Sequence, residues 1–505
     1  MSKFDDLLAD DVAPRRYLAI IEPYNPATSS VITLYFSDHG FVTEPTDTPP
    51  NTYFEPRLTT ALNFERHLFA DQRLSGRSVP GFGVLSITNV DGNFDGMVDY
   101  AYDGRRVRVL LGGEDFAYDE FGLIFDGTVE QLEFTEETLS LRLRDLQTRF
   151  EGNIARTDYG GTGGADGRVG LKGQRKPVVF GRAFRVPAVL VDPSQLLYQV
   201  HDGAIEAVDA VYDKGVVLTF VASAPAAGQY SVDVAAGTIS LGASPAGTVT
   251  ADVRGDKTGG VYAETVGSVV KRLATTRLTN GTPLTVDDTA FQAFETLHPQ
   301  PIGLFLDNDA RMIDVLDDLV ESVGAHYGFD RPGTLTIGRI EAPSTTAVAA
   351  FDERQILKIE RVAVSHPIWR QRIAYRRYWR TLDESGVAGS VSDEDRADLG
   401  EQHRYEVAED TTVSDTHPLA EESDRETLLA LSVDAAAEAA RQLALFGADR
   451  DAFQVRLKTQ PFAIDLGNTI TLTYPRYGLE AGRNLVVIGM VEDAAVNEVT
   501  LDLWG

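Results

Sequence analysis

The last fifty residues of the chain constrain its fold most strongly. Between Phe453 and Gly505, apolar residues alternate with polar ones in short runs, and residues typical of turns separate the runs. Alternation with a period of two predicts antiparallel strands that bury one face. The C-terminal region is therefore expected to be β-structure.

A second stretch, from Gly104 to Leu146, repeats the spacing of the first. Both contain a strand, a connection and a hairpin, which predicts two similar units, at about 15–150 and 355–505, with Val129 and Val491 on equivalent strands. Two hairpins can also look alike by chance, because hairpin sequences are degenerate. The matched positions are Gly104, Val107, Val109, Gly127, Val129, Glu130, Glu136, Thr138, Leu139 and Leu141 with Gly467, Ile470, Leu472, Gly489, Val491, Glu492, Glu498, Thr500, Leu501 and Leu503.

Length and composition narrow the class of protein. A chain of 505 residues is too long for one core and indicates roughly three or four domains. It has no cysteine, which excludes disulfides and thiolate chemistry. Lys and Arg number 46 against 76 Asp and Glu, a net charge of −30, which argues against general nucleic-acid binding. We expect neither a signal peptide nor a membrane span, since no apolar run approaches about 18 residues.

The pattern of runs predicts a mainly β fold with a smaller α+β section. Val266–Leu273 and Ile313–Val323 have helical spacing, with Asn308 or Asp309 as a cap for the second helix. Ser432 is predicted to cap a helix over 432–446 that ends at Gly447. The predicted domains are a β-barrel at 1–155, a β-rich domain at 156–257, an α+β domain at 258–350 and a second, similar β-barrel at 351–505.

Two neighbouring segments carry opposite charge. Residues 370–380 are basic and aromatic, which is typical either of a strand whose arginines meet solvent or an acidic partner, or of a surface that stacks bases; the total charge favours the strand. Residues 381–426 are acidic and polar, so we expect a long insertion or mobile loop with little core of its own. It would be ordered where it meets a partner, such as the basic strand of a neighbouring chain.

Two loop motifs invite a ligand interpretation. Asp91-x-Asn93-x-Asp95-Gly96 matches the first half of a calcium loop, but Tyr102 stands where a bidentate Glu belongs, and a tight turn explains the same residues. The glycine-rich stretch 159–167 lacks the following helix of a phosphate loop and is predicted to be a linker or flexible loop.

Catalytic signatures do not stand out. The sequence contains neither a His-Glu-x-x-His zinc motif nor a Gly-x-Ser-x-Gly elbow. Histidines are scattered, several beside proline as in His298, His366 and His417, which suits loops better than a metal cluster. Acidic residues are too abundant for a carboxylate pair to be recognised. We therefore expect a structural protein, with no catalytic, cofactor-binding or metal-binding residue.

One set of short motifs is spread over most of the chain. Its members are Asp91–Asp95, Asp103-Gly-Arg105, Asp317–Leu319, Phe329–Arg331, Gly333-x-Leu335, Asp465-Leu-Gly467, Val487-Ile-Gly489 and Leu501–Trp504. In these motifs the chain resembles the tail hub proteins of tailed bacteriophages, particularly siphophages, although the resemblance is diffuse. It implies a homotrimer in which each chain carries two similar hub-type barrels, so that three chains present six to a hexameric tail ring. Some related hubs carry a cysteine-bound iron–sulfur cluster, which the absence of cysteine excludes here.

This resemblance implies a location at the tail tip or baseplate of a virion. The implied partners are a distal tail ring protein, a tape-measure protein and tail-tip or fibre proteins, and DNA would pass through the ring without specific binding. An acidic channel wall would repel that DNA, although acidity can equally serve solubility. The alternatives are a tail-associated cell-wall hydrolase, which needs paired acids in one cleft, and a carbohydrate-binding adhesin, which needs exposed aromatic residues.

Overall fold

The computed structural model describes residues 2–10, 12–69, 78–279, 283–458, 462 and 464–505. The fold is mainly β with a smaller helical part, as predicted. Within the described ranges, no helix has both the length and the apolar character needed to cross a membrane.

The N-terminal region is a set of strands around a large hydrophobic core, with a second, smaller cluster of Leu18, Ile20, Phe54 and Phe121. Inward-facing side chains alternate along each strand, as Leu139, Leu141 and Leu143 do on the last of them. Its elements are α1 (Lys3–Ala9), β1 (Arg16–Ile21), β2 (Tyr24–Asn25), β3 (Ser30–Val31), β4 (Leu34–Ser37), β5 (Phe41–Val42), β6 (Tyr53–Pro56), β7 (Leu58–His67), β8 (Phe82–Thr88), β9 (Arg106–Gly112), β10 (Gly122–Phe134) and β11 (Thr138–Arg144).

Two five-stranded sheets follow. The strands are β12 (Val178–Pro187), β13 (Val189–Asp192), β14 (Leu197–Gln199), β15 (Ile205–Asp213), β16 (Val216–Val217), β17 (Thr219–Phe220), β18 (Gln229–Asp233), β19 (Thr238–Leu241), β20 (Val249–Asp256) and β21 (Gly303–Leu306). Their orders are β16-β15-β20-β12-β21 and β13-β14-β19-β18-β17, and valine, isoleucine and tyrosine side chains fill the space between the two sheets.

The helical region contains one more helix than its sequence pattern predicted. Its elements are α2 (Val266–Thr276), α3 (Asp288–Leu297), α4 (Met312–Glu321), β22 (Ala325–Phe329) and β23 (Leu335–Arg339). The α4 helix starts after Arg311 without a side-chain cap, so the predicted capping by Asn308 or Asp309 was wrong. The hydrophobic core of the helical region also contains Phe180 from β12 and Ala439 from a later helix. Neighbouring regions of the chain therefore share this core. The predicted domain boundaries stay a prediction.

The C-terminal region combines a β unit with a small side sheet. Its elements are β24 (Ala349–Phe351), β25 (Ile356–Val362), β26 (Ile368–Tyr375), α5 (Asp393–Gly400), β27 (Arg404–Glu409), α6 (Thr411–Thr416), β28 (Glu421–Glu426), α7 (Ser432–Phe446), β29 (Ala452–Leu457), β30 (Thr469–Leu472), β31 (Arg483–Asp493) and β32 (Glu498–Trp504).

The acidic segment 381–426 is folded, which corrects the prediction of a loop. It supplies α5, β27, α6 and β28, and the basic strand β26 pairs with β27 on one side and β28 on the other. Arg370 donates to Glu422 at 2.7 Å and Arg372 to Asp424 at 2.9 Å. The acidic partner of the basic strand is therefore this chain itself. Charge composition concealed a sheet whose two signs neutralise each other across neighbouring strands.

Helix α7 packs against the small sheet formed by β27, β26 and β28, where it contacts β26 and β27. Its predicted bounds are confirmed, and Ala435 and Ala439 lie buried, because small side chains let the helix lie close to the strands. Ser432 is not the cap, since the N-cap is Leu431 and the Ser432 hydroxyl donates to Glu406 at 2.7 Å.

One sheet of fifteen strands joins the N-terminal and C-terminal regions. Its main path is β25-β29-β32-β31-β7-β8-β11-β10-β9-β1-β4-β6-β5, with β30 and β24 attached beside β31. The two ends of the chain thus form one continuous hydrogen-bonded surface.

Candidate functional site

Two glycines begin equivalent strands in the same way. Gly104 donates its backbone N–H to the carbonyl of Val129 at 2.8 Å, and Gly467 donates to the carbonyl of Val487, also at 2.8 Å. Both glycines have positive φ, +67° and +78°, a conformation that side-chain-bearing residues rarely adopt. The first glycine pair of the sequence repeat therefore has a structural counterpart.

The following hairpins share a β-bulge. Val129 lies opposite Leu143, and Val487 lies opposite Leu503. In each unit the ladder shifts by one residue immediately after this pair. Because bulges occupy specific positions in related strands, the shared bulge fixes which residues correspond.

The residue-by-residue repeat was partly wrong. Val129 and Val491 lie on equivalent strands, as predicted, but the structural equivalent of Val129 is Val487, four residues earlier in the chain. Val129 is buried in the core, whereas Val491 is only partly buried and its neighbour Glu492 is buried. The C-terminal hairpin is two residues longer between the equivalent pairs, 487–503 against 129–143, because its ladder contains one more pair.

Strand order extends the correspondence to six strands. The N-terminal unit runs β7-β8-β11-β10-β9-β1, and the C-terminal unit runs β25-β29-β32-β31-β30-β24. One difference lies at the end, where β1 is antiparallel to β9 but β24 is parallel to β30. The chain thus contains two copies of one β unit, here called the first unit and the second unit.

The two units meet edge to edge. Residues 63–67 of β7 pair antiparallel with 489–493 of β31, and we call this pairing the internal seam. Backbone hydrogen bonds of 2.9 Å at both ends, from Leu68 to Ile488 and from Ala494 to Leu62, extend it.

Four charged side chains lie beside the internal seam. Arg66 contacts Asp465 at 2.9 Å and Glu492 at 3.9 Å, while Arg331 donates to the same Glu492 oxygen. Glu492 is 1% exposed and Arg66 is 6% exposed. Burial alone would raise the pKa of Asp465, but Arg66 and Arg331 outweigh it and lower that pKa. Two cations and two anions therefore neutralise each other where the units join.

A cavity of about 540 Å³ opens next to this cluster, between the two units and the helical region. Burial raises the pKa of Asp145 to about 6, even though its carboxylate accepts backbone hydrogen bonds from Gly81 and Gln147. Burial also lowers the pKa of His326 to about 4. The other lining carboxylates are also engaged: Asp287 caps α3, Asp330 accepts from Thr334 and Asp465 binds Arg66.

The candidate calcium motif is a braced turn. Both oxygens of Asp91 accept from the Arg57 guanidinium at 2.9 and 2.6 Å, and this contact holds the pKa of Asp91 at about 2. Asp95 accepts from the Asn89 amide at 2.9 Å. In the part of the chain that the structure describes, no three His, Asp or Glu side chains are placed together to hold a metal ion.

The other sequence motifs lie apart from the seam. The glycine-rich stretch 159–167 folds around Asp166, which accepts from Gly160 and Thr162. Burial lowers the pKa of His298 to about 4. His366 and His417 line a separate cavity of about 730 Å³ beside β28.

Sequence reasoning missed β7, the strand that forms the seam. Its signal was present, since Leu62 and Phe64 alternate with Asn63 and Glu65. Arg66 then breaks the apolar pattern at a position that the structure buries, because Asp465 and Glu492 neutralise it there. A buried cation whose partners lie some 400 residues away along the chain leaves no local signal.

Comparison with known proteins gave similarities of fold. No protein-family model matches the chain, and no curated protein matches its sequence. The chain is similar to phage tail proteins. The tail protein from Neisseria meningitidis MC58 matches with a TM-score of 0.43 at 10% identity, over 90% of this chain and 93% of that one. Prophage tail protein gp18 from Listeria monocytogenes EGD-e matches with a TM-score of 0.36 at 8% identity, over 96% of this chain and 94% of that one. A chain from the virion of a native gene transfer agent particle matches with a TM-score of 0.40 at 12% identity, over 66% of this chain and 84% of that one.

Proposed function

We propose that this protein is a structural component of a phage tail, a hub ring at the tail tip or baseplate. The observation that carries the proposal is the pair of equivalent six-stranded units, joined edge to edge in one sheet. A ring of three chains presents a pseudo-sixfold surface when each chain carries two equivalent units. The resemblance of its sequence to tail hub proteins points the same way.

In this proposal three chains form a closed ring. Head-to-tail contacts generate rings when the rotation closes, and three chains present six β units to a sixfold tail ring. The ring would join the tail tube or distal tail ring to the tip, with the tape-measure protein and tip or fibre proteins as further neighbours.

Genomic DNA would leave the particle through the centre of this ring. Contacts between phosphates and Lys or Arg add affinity through counterion release, so a basic wall would retard the strand. The chain carries a net charge of −30. Because the field reaches only about 8 Å at physiological salt, acidic residues would have to line the channel itself.

The engaged carboxylates support a non-enzymatic role. A glycosidase needs two acids free to act on a sugar. All four carboxylates found along the cavity beside the seam hold a backbone group or an arginine. This arrangement is typical of carboxylates that stabilise a fold.

Copy number and position in assembled particles test the proposal. We expect three copies per particle, located at the tail tip by electron microscopy and forming a threefold ring. Six copies at the tip, or fivefold order, would overturn the ring. Clearing of peptidoglycan in a gel by the purified protein would favour the hydrolase, and binding on a glycan array would favour the adhesin.

A further inference from the structure

The internal seam uses only one edge of each unit. In the first unit it uses β7, and in the second it uses the distal half of β31. The structural equivalents of these two edges are residues 360–364 in the second unit, which are the end of β25 and the two residues after it, and the distal half of β10 in the first unit. This correspondence follows from strand order and from the ladders that connect Phe64 to Gly83 and Leu143, and Arg361 to Phe453 and Leu503.

Both equivalent edges are open within the described residues. The only strand paired with β25 is β29, and beyond Val129 the distal half of β10 pairs only with β11. The backbone N–H of Thr135 donates to the carbonyl of Thr138 at 2.9 Å. The backbone N–H and C=O groups of the odd-numbered residues in this half of β10 therefore point toward β11. Alternation then directs the backbone groups of Leu132 and Phe134 to the open edge.

Side-chain exposure shows which edge lacks a partner. Phe64 and Arg66 in the seam are 5% and 6% exposed. At the equivalent edge, residues 360–366 are all exposed, including Arg361 and Ala363, the equivalents of Phe64 and Arg66. Val362 and Val364, which alternate with them, are each 39% exposed. An exposed strand edge with apolar side chains is a template for pairing with another chain.

We propose that the β25 edge of one chain pairs with the distal β10 edge of a second copy, in the register of the internal seam. We call this pairing the external seam; it rests on the proposed ring and supplies its subunit contact. Superposing one unit on the other transfers the register. The resulting pairs are Glu360 with Thr135, Arg361 with Phe134, Val362 with Glu133, Ala363 with Leu132 and Val364 with Gln131.

Charge favours the same partner. Residues 130–137 carry four glutamates and no Lys or Arg, whereas residues 358–364 carry Lys358 and Arg361 against Glu360. Within the chain Lys358 contacts Glu360 and Arg361 contacts Asp451, so the second edge is close to neutral. A nearly neutral edge meets four glutamates with less repulsion than a second acidic edge would, which favours this pairing over a contact between two acidic edges.

Each chain offers one edge of each kind, so the contact is head-to-tail. Repeating it adds one unit after another in the order first, second, first, second. With the internal seam alternating with the external seam, the ring becomes a single β surface that runs through all the chains.

Disulfide trapping tests the register directly, because the chain has no cysteine of its own. The double variant Glu133→Cys/Val362→Cys places cysteines at an antiparallel pair that is not hydrogen-bonded, where Cα atoms lie roughly 4.5 Å apart, within disulfide reach. The variant Glu133→Cys/Glu360→Cys is the matched control, displaced by two residues. The internal equivalent, Glu65→Cys/Val491→Cys, is the positive control, since Glu65 lies opposite Val491.

The assay is a non-reducing gel of oxidised protein, run on assembled particles and on the purified chain. We expect most of the 133/362 variant in the particles to appear as linked dimers and trimers, little linkage of the 133/360 variant, and an intrachain bond in the 65/491 variant. Amide exchange should also slow on assembly in peptides that cover 130–136 and 358–365.

The outcomes separate the seam from the ring. Three copies per particle without linkage of 133/362 would overturn the external seam and leave the hub proposal standing. Equal linkage of the 133/360 control would overturn the register. Unlinked 133/362 chains in particles that also lack three copies would overturn both.

Discussion

Arg66 reaches across the internal seam to Asp465, with 2.9 Å between Nη1 and Oδ1. A cation from the first unit is thereby fixed to an anion from the second, and Glu492 lies buried between Arg66 and Arg331.

Neutralising Glu492 should strongly lower the stability that the internal seam contributes to the fold. Glu492→Gln keeps the shape but leaves the buried Arg66 and the largely buried Arg331 with one anion, and breaking a buried ion pair costs about 3–5 kcal/mol. The free energy of unfolding in urea measures the loss. Glu341→Gln is the matched control, because its partner contact with Arg339 is partly exposed and such pairs contribute about 0–1 kcal/mol. Equal effects in both variants would contradict the role given to burial.

The two strand-initiating glycines should respond alike. An added Cβ at Gly104 or Gly467 meets no atom within 4 Å, so only the positive φ opposes alanine, at about 1 kcal/mol for each variant. Gly96→Ala is the control, since it has equal space and no positive φ. Urea unfolding of the three variants checks this prediction, and a much larger effect at one strand-initiating glycine than at the other would argue against their equivalence.

Asp145 should make stability depend on pH. Burial raises its pKa from 3.8 to about 6, so the folded state binds more protons between these values, and this contribution is lost as pH rises through 6. The loss amounts to at most about 3 kcal/mol. His326 acts in the opposite direction, because its lowered pKa, about 4, makes stability rise with pH up to its unfolded value. The two effects offset each other in the wild-type curve.

A variant isolates the carboxyl group. The destabilisation caused by Asp145→Asn should be larger at pH 4 than at pH 7, since only the wild type gains from protonation. Chemical unfolding of both proteins at each pH measures the difference. A penalty that stays constant with pH would show that Asp145 does not titrate in this range.

Deleting residues 381–426 should destabilise the chain. The deletion removes both strands that flank β26 and uncovers Ile373, which is fully buried. We expect binding of a hydrophobic dye and faster proteolysis near helix α7. Arg372→Ala, which removes one partly exposed pair with Asp424, is the control and should change stability by less than about 1 kcal/mol. A deletion variant as resistant to protease as the wild type would restore the interpretation of a dispensable loop.

Local pattern predicted the elements better than their registers. Period-two alternation located the strands around Val107, Leu139 and Leu501, and helical spacing located α2 and α7. The equivalence of Val129 with Val487 could not be predicted, because the two hairpins differ in the number of residue pairs that follow the shared bulge, and composition does not reveal strand pairing. The folded state of 381–426 was hidden for another reason: its acids are neutralised by Arg370 and Arg372 outside the segment.

The junction itself was beyond local reasoning. Arg66 and Glu492 each look like surface residues in sequence, and only their meeting makes burial tolerable. The sequence repeat indicated two units, but the sequence of neither unit indicates which of its edges pairs with the other unit.

The distance along the chain between the two halves of the internal seam has a consequence for biosynthesis. Arg66 and Met490, which face each other there, are 424 positions apart. At about 5–20 residues per second of synthesis, β7 waits roughly 20 to 80 s for β31 to be translated. Throughout that interval the nascent first unit presents a bare strand to other ribosomes on the same message, so slow translation or crowded polysomes should favour mispairing between nascent chains.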